Sequence, residues 1–249
     1  MIVLCTDFGL AGPYTGQVKA VLHALAPAAV IVDLFADMPA ANPKASAYLL
    51  AAYDEHFPAG SVFLCIVDPG VGSARRGLCV KAGPHWYVGP DNGLFEIVMR
   101  QAGTAVEAYE IAWRPARLSA SFHGRDLFAP IAARLAGGES PPASTSDFLR
   151  LGRDAIPARD WPDDLPEIVY LDHYGNAMTG IRAATLGDGA GLVVDGRRIP
   201  RAETFSSVSP GEVFCYENSN GLMEIAICQG SAYVDLKLRV GTSVKPTKR

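Results

Sequence analysis

The sequence predicts an N-terminal α/β domain with a mainly parallel sheet, followed by a smaller, barrel-like all-β domain. Three observations lead there. Strand and helix signals alternate through Leu135, the pattern of an α/β layer structure. A Gly- and Pro-rich stretch from Gly137 to Pro166 breaks that pattern. Beyond Pro166 only short runs of β-forming residues follow. The boundaries read as an α/β domain over 1–150, a linker over 151–166 and a β domain over 167–249. The length of 249 residues suits one large domain or two small ones of ~100–200 residues.

Each element has its own warrant. Ile2–Cys5 is a short apolar run that ends just before Asp7. Gln17–Leu25 places Val18, Val21, Leu22 and Leu25 on one helical face. Val30–Leu34 is a second strand. Ala45–His56 reads as a helix with Ser46 as a possible cap. Ser61–Val67 is apolar almost throughout, as a parallel strand buried on both faces requires. Strands at Leu78–Lys81 and Trp86–Val88, a helix at Leu94–Gln101, a strand at Ala105–Ile111 and a helix at Asp126–Leu135 complete the first part. In the second, Ile168–Leu171, Ala177–Ile181, Gly191–Val194, Val213–Tyr216, Leu222–Ile227 and Tyr233–Leu238 read as strands. Asp195-Gly196 is a two-residue hairpin turn. The polar tail from Thr242 onward is expected to fray.

Composition excludes several function classes. Hydrophobic residues make up 49% and charged residues 19%, with mean hydropathy +0.14, a core-forming balance that excludes a disordered chain. Net charge is −4, which argues against a nucleic-acid partner, since phosphate neutralisation calls for basic surfaces. No apolar run reaches the ~18 residues of a membrane span, and the N-terminus lacks the features of a signal peptide. Cys5, Cys65, Cys79, Cys215 and Cys228 are odd in number and form no C-x-x-C pair. They read as reduced, buried thiols of a cytoplasmic protein, and no ligand cluster for a metal stands out.

Candidate chemistry gathers at strand ends. Asp7 and Asp68 follow two buried strands, where open α/β sheets bind ligands, and glycines lie beside both. Each Asp alone reads as well as a turn former or cap; two at one sheet edge favour a site. Gly70-Val71-Gly72 lacks the G-K-[ST] and G-x-G-x-x-G spacings of phosphate loops. Arg75 and Arg76 follow instead, able to hold an anion or orient a carboxylate, or to be solvated surface charges. Pro90-Asp91-Asn92-Gly93 reads as a turn before a helix. His123, flanked by Gly124, Arg125 and Asp126, is the histidine best placed for function, whereas His23, His56 and His85 read as structural. Asp172-His173-Tyr174-Gly175-Asn176 and Asn218-Ser219-Asn220-Gly221 interrupt strands. They read as hairpin turns or as a nucleobase site, with Asn reading base edges and Tyr174 stacking.

Taken in order, TDFG, VDPGVGSARR, PDNG, FHGRDLFAP, DHYGN and NSNGLMEIA closely resemble the S-adenosyl-L-methionine hydroxide adenosyltransferases, the hydrolytic relatives of fluorinases and chlorinases. The resemblance runs from the first strand to about residue 238. It implies hydrolysis of S-adenosylmethionine (SAM) to adenosine and L-methionine by water or hydroxide attack at C5′, in a homotrimer whose sites lie at subunit interfaces. It implies a catalytic set of Asp68, Arg75 and His123, and Asp7 on the ribose hydroxyls. Asn176 and Tyr174 match adenine positions, Asp172 and Ser219 hold the methionine end, and Glu224 and Ile227 lie in the last nucleoside-binding segment. SAM is the substrate, and no cofactor or metal is implied. The halogenating relatives lack the Asp–Arg–His set, which favours water over halide. Asn220 departs from a family arginine toward the substrate carboxylate, and Cys228 from a polar Asn. The alternatives are a nucleoside- or SAM-binding protein with little turnover, and a metal-dependent phosphoester hydrolase built on Asp7, Asp68 and His123.

Overall fold

A computed structural model describes residues 1–141, 146–156, 160–187 and 189–247. The chain divides into two compact units: Met1–Leu50 with His56–Arg159, and Ala51–Glu55 with Asp160–Arg249.

The first unit is built on β1 (Ile2–Thr6), α1 (Tyr14–Leu25), β2 (Ile31–Phe35), α2 (Pro43–Tyr53), β3 (Val62–Ile66), β4 (Gly77–Ala82), β5 (His85–Pro90), α3 (Glu96–Ala102), β6 (Val106–Ile111), α4 (Ala129–Ala136) and β7 (Phe148–Leu151). Its sheet runs β2-β1-β3-β5-β4-β6-β7. The β2-β1-β3-β5 half is parallel, and antiparallel ladders extend it through β4, β6 and β7. All five residues of both β1 and β3 are buried, which explains their unbroken apolar sequence. α1 and α4 cover one face, with Val18, Leu22, Ile131 and Leu135 in the same apolar cluster as Ile2 and Leu64.

The second unit contains a four-stranded antiparallel sheet. Its strands are β8 (Leu165–Leu171), β9 (Ala177–Arg182), β12 (Val213–Glu217) and β13 (Leu222–Ile227), in the order β12-β13-β9-β8. A three-stranded sheet joins β10 (Leu192–Val194), β11 (Arg197–Ile199) and β14 (Lys245–Pro246). Asp195 and Gly196 both take positive φ, 49° and 78°, as a two-residue hairpin turn between β10 and β11 requires.

Several local expectations are corrected. Asn42, rather than Ser46, caps α2: its Oδ1 accepts the Ala45 N–H at 3.1 Å, while Ser46 is buried within the helix. The Asp126–Leu135 helix is two pieces, a π-helical turn over Gly124–Phe128 followed by α4. Tyr233–Leu238 is no strand. Ser231 accepts the Val234 N–H at 3.3 Å and caps a one-turn helix, α5 (Ala232–Asp235). This capping captures Tyr233 and Val234, which propensity alone assigns to a strand. The tail is ordered through Thr247, whose N–H donates to Gly191 O at 2.9 Å; residues 248–249 lie outside the described residues.

The 151–166 stretch is also partly built. Leu151 ends β7, paired to Ala108, Arg153 pairs with buried Glu96 at 3.0 Å, and Ile156 is buried. Leu165 and Pro166 begin β8, an edge strand, where a missing N–H is tolerated. Residues 142–145 and 157–159 lie outside the described residues. Ala51–Glu55, read from the sequence as part of 1–150, belongs to the second unit. There the Tyr53 hydroxyl meets Met178 Sδ at 3.5 Å.

Candidate active site

Two groups of candidate residues form, one in each unit. In the first, Asp68 lies just beyond β3, and the loop after it folds back through Val71 N–H to Asp68 O at 3.2 Å and Ser73 N–H to Gly70 O at 3.1 Å. This brings Arg75 onto Asp68 in a two-point contact. Arg75 Nε donates to Oδ1 at 2.7 Å and Nη2 to Oδ2. The same Nη2 lies 3.1 Å from His123 Nδ1. The guanidinium also sits 5.1 Å from the centre of the Phe128 ring. Arg75 and Asp68 side chains are only 10% and 6% exposed, so the pair is shielded from solvent screening.

Gly124, next to His123, packs closely on the end of β3. A Cβ there would lie 2.9 Å from Ile66 Cδ1 and 3.4 Å from Phe8 Cζ. With glycine there, the π-helical turn packs directly against the Ile66 side chain at the end of β3, and π turns recur at functional sites. The neighbours of His123 serve this placement. Arg125 and Asp126 pair with each other at 2.6 Å, Asp126 accepts the Ser119 N–H at 2.9 Å, and Arg125 reaches Gln17 Oε1 at 2.8 Å.

The contact with Arg75 sets the imidazole tautomer. A guanidinium has only donors, so Nδ1 is the acceptor and the ring proton is on Nε2. Burial, and then the Arg75 charge, lower the His123 pKa, because a second ring proton would face a cation. An activity that needs neutral His123 is therefore retained at the ordinary histidine pKa of ~6.5 and lost only below it. A pH profile of kcat/KM checks this: the acid limb is expected beneath ~6.5, and a limb above that value contradicts the assignment.

Asp7 stands beside this cluster, and its carboxyl Oδ2 accepts the Ala41 N–H at 2.9 Å. Burial raises its pKa against the pull of that N–H, and the Asp68 charge pushes the same way as burial. Phe8, Tyr14 and Phe122 form an aromatic trio with centroid separations of 5.6–5.9 Å. Sequence reasoning missed this trio, since Phe122 lies more than a hundred residues from Phe8 and Tyr14 and the three follow no periodicity. The two remaining motifs are supports. Arg76 turns away from Arg75 to Asp91 at 2.7 Å and to Ala155 O at 2.8 Å. Asn92 Nδ2 donates to Val67 O at 2.8 Å, tying the PDNG turn to the residue before Asp68.

In the second unit Asp172, Tyr174, Asn176, Ser219, Glu224 and Ile227 all line one cavity of about 770 Å³, within the usual range for small-molecule sites. Asp172 accepts both the backbone N–H and the side-chain amide of Asn176, at 2.8 and 2.9 Å. Glu224, 2% exposed, accepts from the Tyr216 hydroxyl and from Asn218 Nδ2, both at 2.8 Å. Burial raises its pKa despite those donors. Tyr174 is 78% exposed, an open ring at the cavity. Tyr53, Met178, Phe205, Tyr216 and Gln229 complete the apolar and polar walls; the sequence reading did not single them out. Tyr216 at least carried a signal, two β-strand residues before Asn218.

Residues 2–145 match the family model described as SAM hydroxide adenosyltransferase N-terminal domain, and residues 166–245 its C-terminal domain. The chain belongs to the SAM hydroxide adenosyltransferase family. Similar members include the (R)-S-adenosyl-L-methionine hydrolase of Thermus thermophilus, 38% identical over 98% of each chain. That of Salinispora arenicola is 35% identical over 99% of this chain and 97% of its own. A fluorinase of Actinopolyspora mzabensis is more distant, 24% identical over 100% of this chain and 97% of its own. Among solved structures, an uncharacterized conserved protein from Thermotoga maritima superposes with a TM-score of 0.88 at 29% identity, covering 100% of both chains. Both family domains thus carry one candidate group each, the Asp–Arg–His cluster in the N-terminal match and the cavity in the C-terminal match.

Proposed function

We propose that this protein hydrolyses S-adenosyl-L-methionine to adenosine and L-methionine, with the (R)-sulfonium epimer, named for its hydrolase relatives, as substrate. The observation that carries the reading is the Asp68–Arg75–His123 cluster. The sulfonium already activates C5′ and leaves as a neutral thioether, so departure needs no general acid and the reaction calls for no cofactor. What remains is to hold one water in line with the C5′–S bond, a positioning effect that reaches ~7–11 kcal/mol.

The tautomer supports one division of roles. His123, with its proton on Nε2, donates to the water oxygen and orients it. Asp68, both oxygens engaged by Arg75 yet each with a further lone pair, accepts a water proton. The proton becomes acidic as the C–O bond forms, so a weak carboxylate base suffices. Asp7 binds the ribose hydroxyls, a carboxylate accepting two hydrogen bonds at once. In the cavity Tyr174 and Asn176 take the adenine, Asp172 and Ser219 the methionine end, and Glu224 and Ile227 the last nucleoside contacts. Glu224 acts by fixing Asn218. The working assembly is a homotrimer with its sites at subunit interfaces, in the cytoplasm. Among the described residues no helix is long and apolar enough to cross a membrane.

Incubation with SAM in ¹⁸O-water, with and without chloride, tests the reaction. Adenosine labelled at O5′ and free methionine are expected in both. Bound, unconverted substrate would favour the binding-protein reading, and a chlorinated nucleoside would overturn water as the nucleophile.

A further inference from the structure

Asp68 and Arg75 stand at the two ends of one loop, residues 68–75, and a single turn outside that loop holds both ends. The turn is Pro90-Asp91-Asn92-Gly93, at the end of β5. On the Asp68 side, Asn92 Nδ2 donates to Val67 O at 2.8 Å, while Asn92 Oδ1 accepts the Leu94 N–H at 3.3 Å. On the Arg75 side, the Asp91 N–H donates to Arg76 O at 3.0 Å. The Asp91 carboxylate takes Nε and Nη2 of Arg76 at 2.9 and 2.7 Å. Arg75 Nη1 donates to that same Arg76 carbonyl at 3.3 Å. The Asp91 side chain is only 8% exposed, so its pairing is little screened by solvent.

The turn is itself fixed from behind. Arg76 Nη2 reaches Ala155 O at 2.8 Å, and buried Ile156 shares a small cavity wall with Asp91 and Phe95. The loop's tip is set by a third contact. Gly72 has φ 81°, and a Cβ there would lie 2.7 Å from Ala120 O, three residues before His123. The demand on this arrangement is tight, because Arg75 Nη2 meets Asp68 and His123 together. The position of Asp68 follows from where Val67 is held, and that of Arg75 from where Arg76 is held.

We propose that Asn92 and the Arg76–Asp91 pair are positioning residues for the hydrolysis, setting the register of Asp68, Arg75 and His123 by holding both ends of the loop. The effect on rate rests on the hydrolase reading above. Released from the turn, the loop keeps its catalytic groups and their charges but not their geometry, and a shift of ~1 Å costs up to ~100-fold in rate. The His123 ring reports the same geometry. Burial lowers its pKa most, then Arg75 outweighs Asp68, with smaller effects of Arg114 and Asp126. A loosened loop admits water and withdraws Arg75 together with Asp68, so the pKa rises toward the ordinary ~6.5.

The test uses the full chain and two variants. Asn92→Ala removes the hold on Val67. Arg76→Lys keeps the positive charge but has no fork to span Asp91 and Ala155 O. In Asn92→Ala, kcat on SAM is expected to fall by about ten- to a hundredfold with KM changed by less than about twofold, and Arg76→Lys shows a smaller loss of the same kind. NMR of protein labelled with ¹³C-histidine follows the His123 titration, its signal identified by its loss in His123→Ala. That titration is expected to move upward in both variants. Urea midpoints check that each is folded, and Arg76→Lys carries the test if Asn92→Ala is not. An unmoved His123 titration in the folded variants overturns the inference, and so does a kcat within about twofold of the unmodified enzyme. If the unmodified enzyme releases no adenosine from SAM, the hydrolase reading fails, while the titration still decides whether the turn holds the cluster.

Discussion

Replacing His123 with Ala lowers the turnover of SAM by at least ~100-fold, the usual scale for a lost acid–base or orienting group, and Asp68→Ala does the same. The two losses have different causes. Without the imidazole, Nη2 of Arg75 loses its second acceptor and the water loses its Nε2–H donor. Without the carboxylate, a guanidinium only 10% exposed is left without its two-point partner. Removing one member of a buried pair costs about 3–5 kcal/mol, so Asp68→Ala is expected to lose stability as well as rate. Asp68→Asn separates the effects, since it keeps the shape and a hydrogen-bond acceptor but removes the charge. Steady-state rates together with urea midpoints for the three variants check this. Near-wild-type turnover in both His123→Ala and Asp68→Ala would remove these residues from the mechanism.

Gly89→Ala is expected to give the largest loss of stability, about 3 kcal/mol or more. Gly89 lies in β5, between β3 and β4 in the sheet. A Cβ there would sit 2.2 Å from the carbonyl oxygen of Cys65 and 3.0 Å from Phe95 Cζ. The first obstacle is the backbone of β3, which no rotamer change relieves, so the strands themselves must part. Because β3 runs directly into Val67 and Asp68, the activity is expected to fall with the stability. A urea midpoint equal to that of the unmodified protein would show that the β3–β5 approach is looser than its geometry.

How legible the site was depended on the reach of each signal. Asp68, Arg75 and His123 could be singled out one by one, because each sits where an apolar run gives way to glycine and charge. Their contact could not, since 48 residues separate Arg75 from His123. The split fates of Arg75 and Arg76 were equally hidden. Adjacent in sequence, they point to different carboxylates, Asp68 and Asp91. The Tyr233–Leu238 run shows the opposite failure. Its composition favours a strand, and a single serine cap with a tertiary setting turns its start into a helix.

By itself the sequence determined the order of elements in the α/β half, the apolar strands buried on both faces, the Asp-Gly hairpin turn and the family motifs. These follow from local periodicity, turn chemistry and composition, which act over a few residues. Tertiary structure alone decided the imidazole tautomer, the packing of the π-helical turn through Gly124 on Ile66 and the placement of Tyr53 in the second unit. Each depends on which distant groups meet, and that is set by packing and by the need of every buried polar group for a partner.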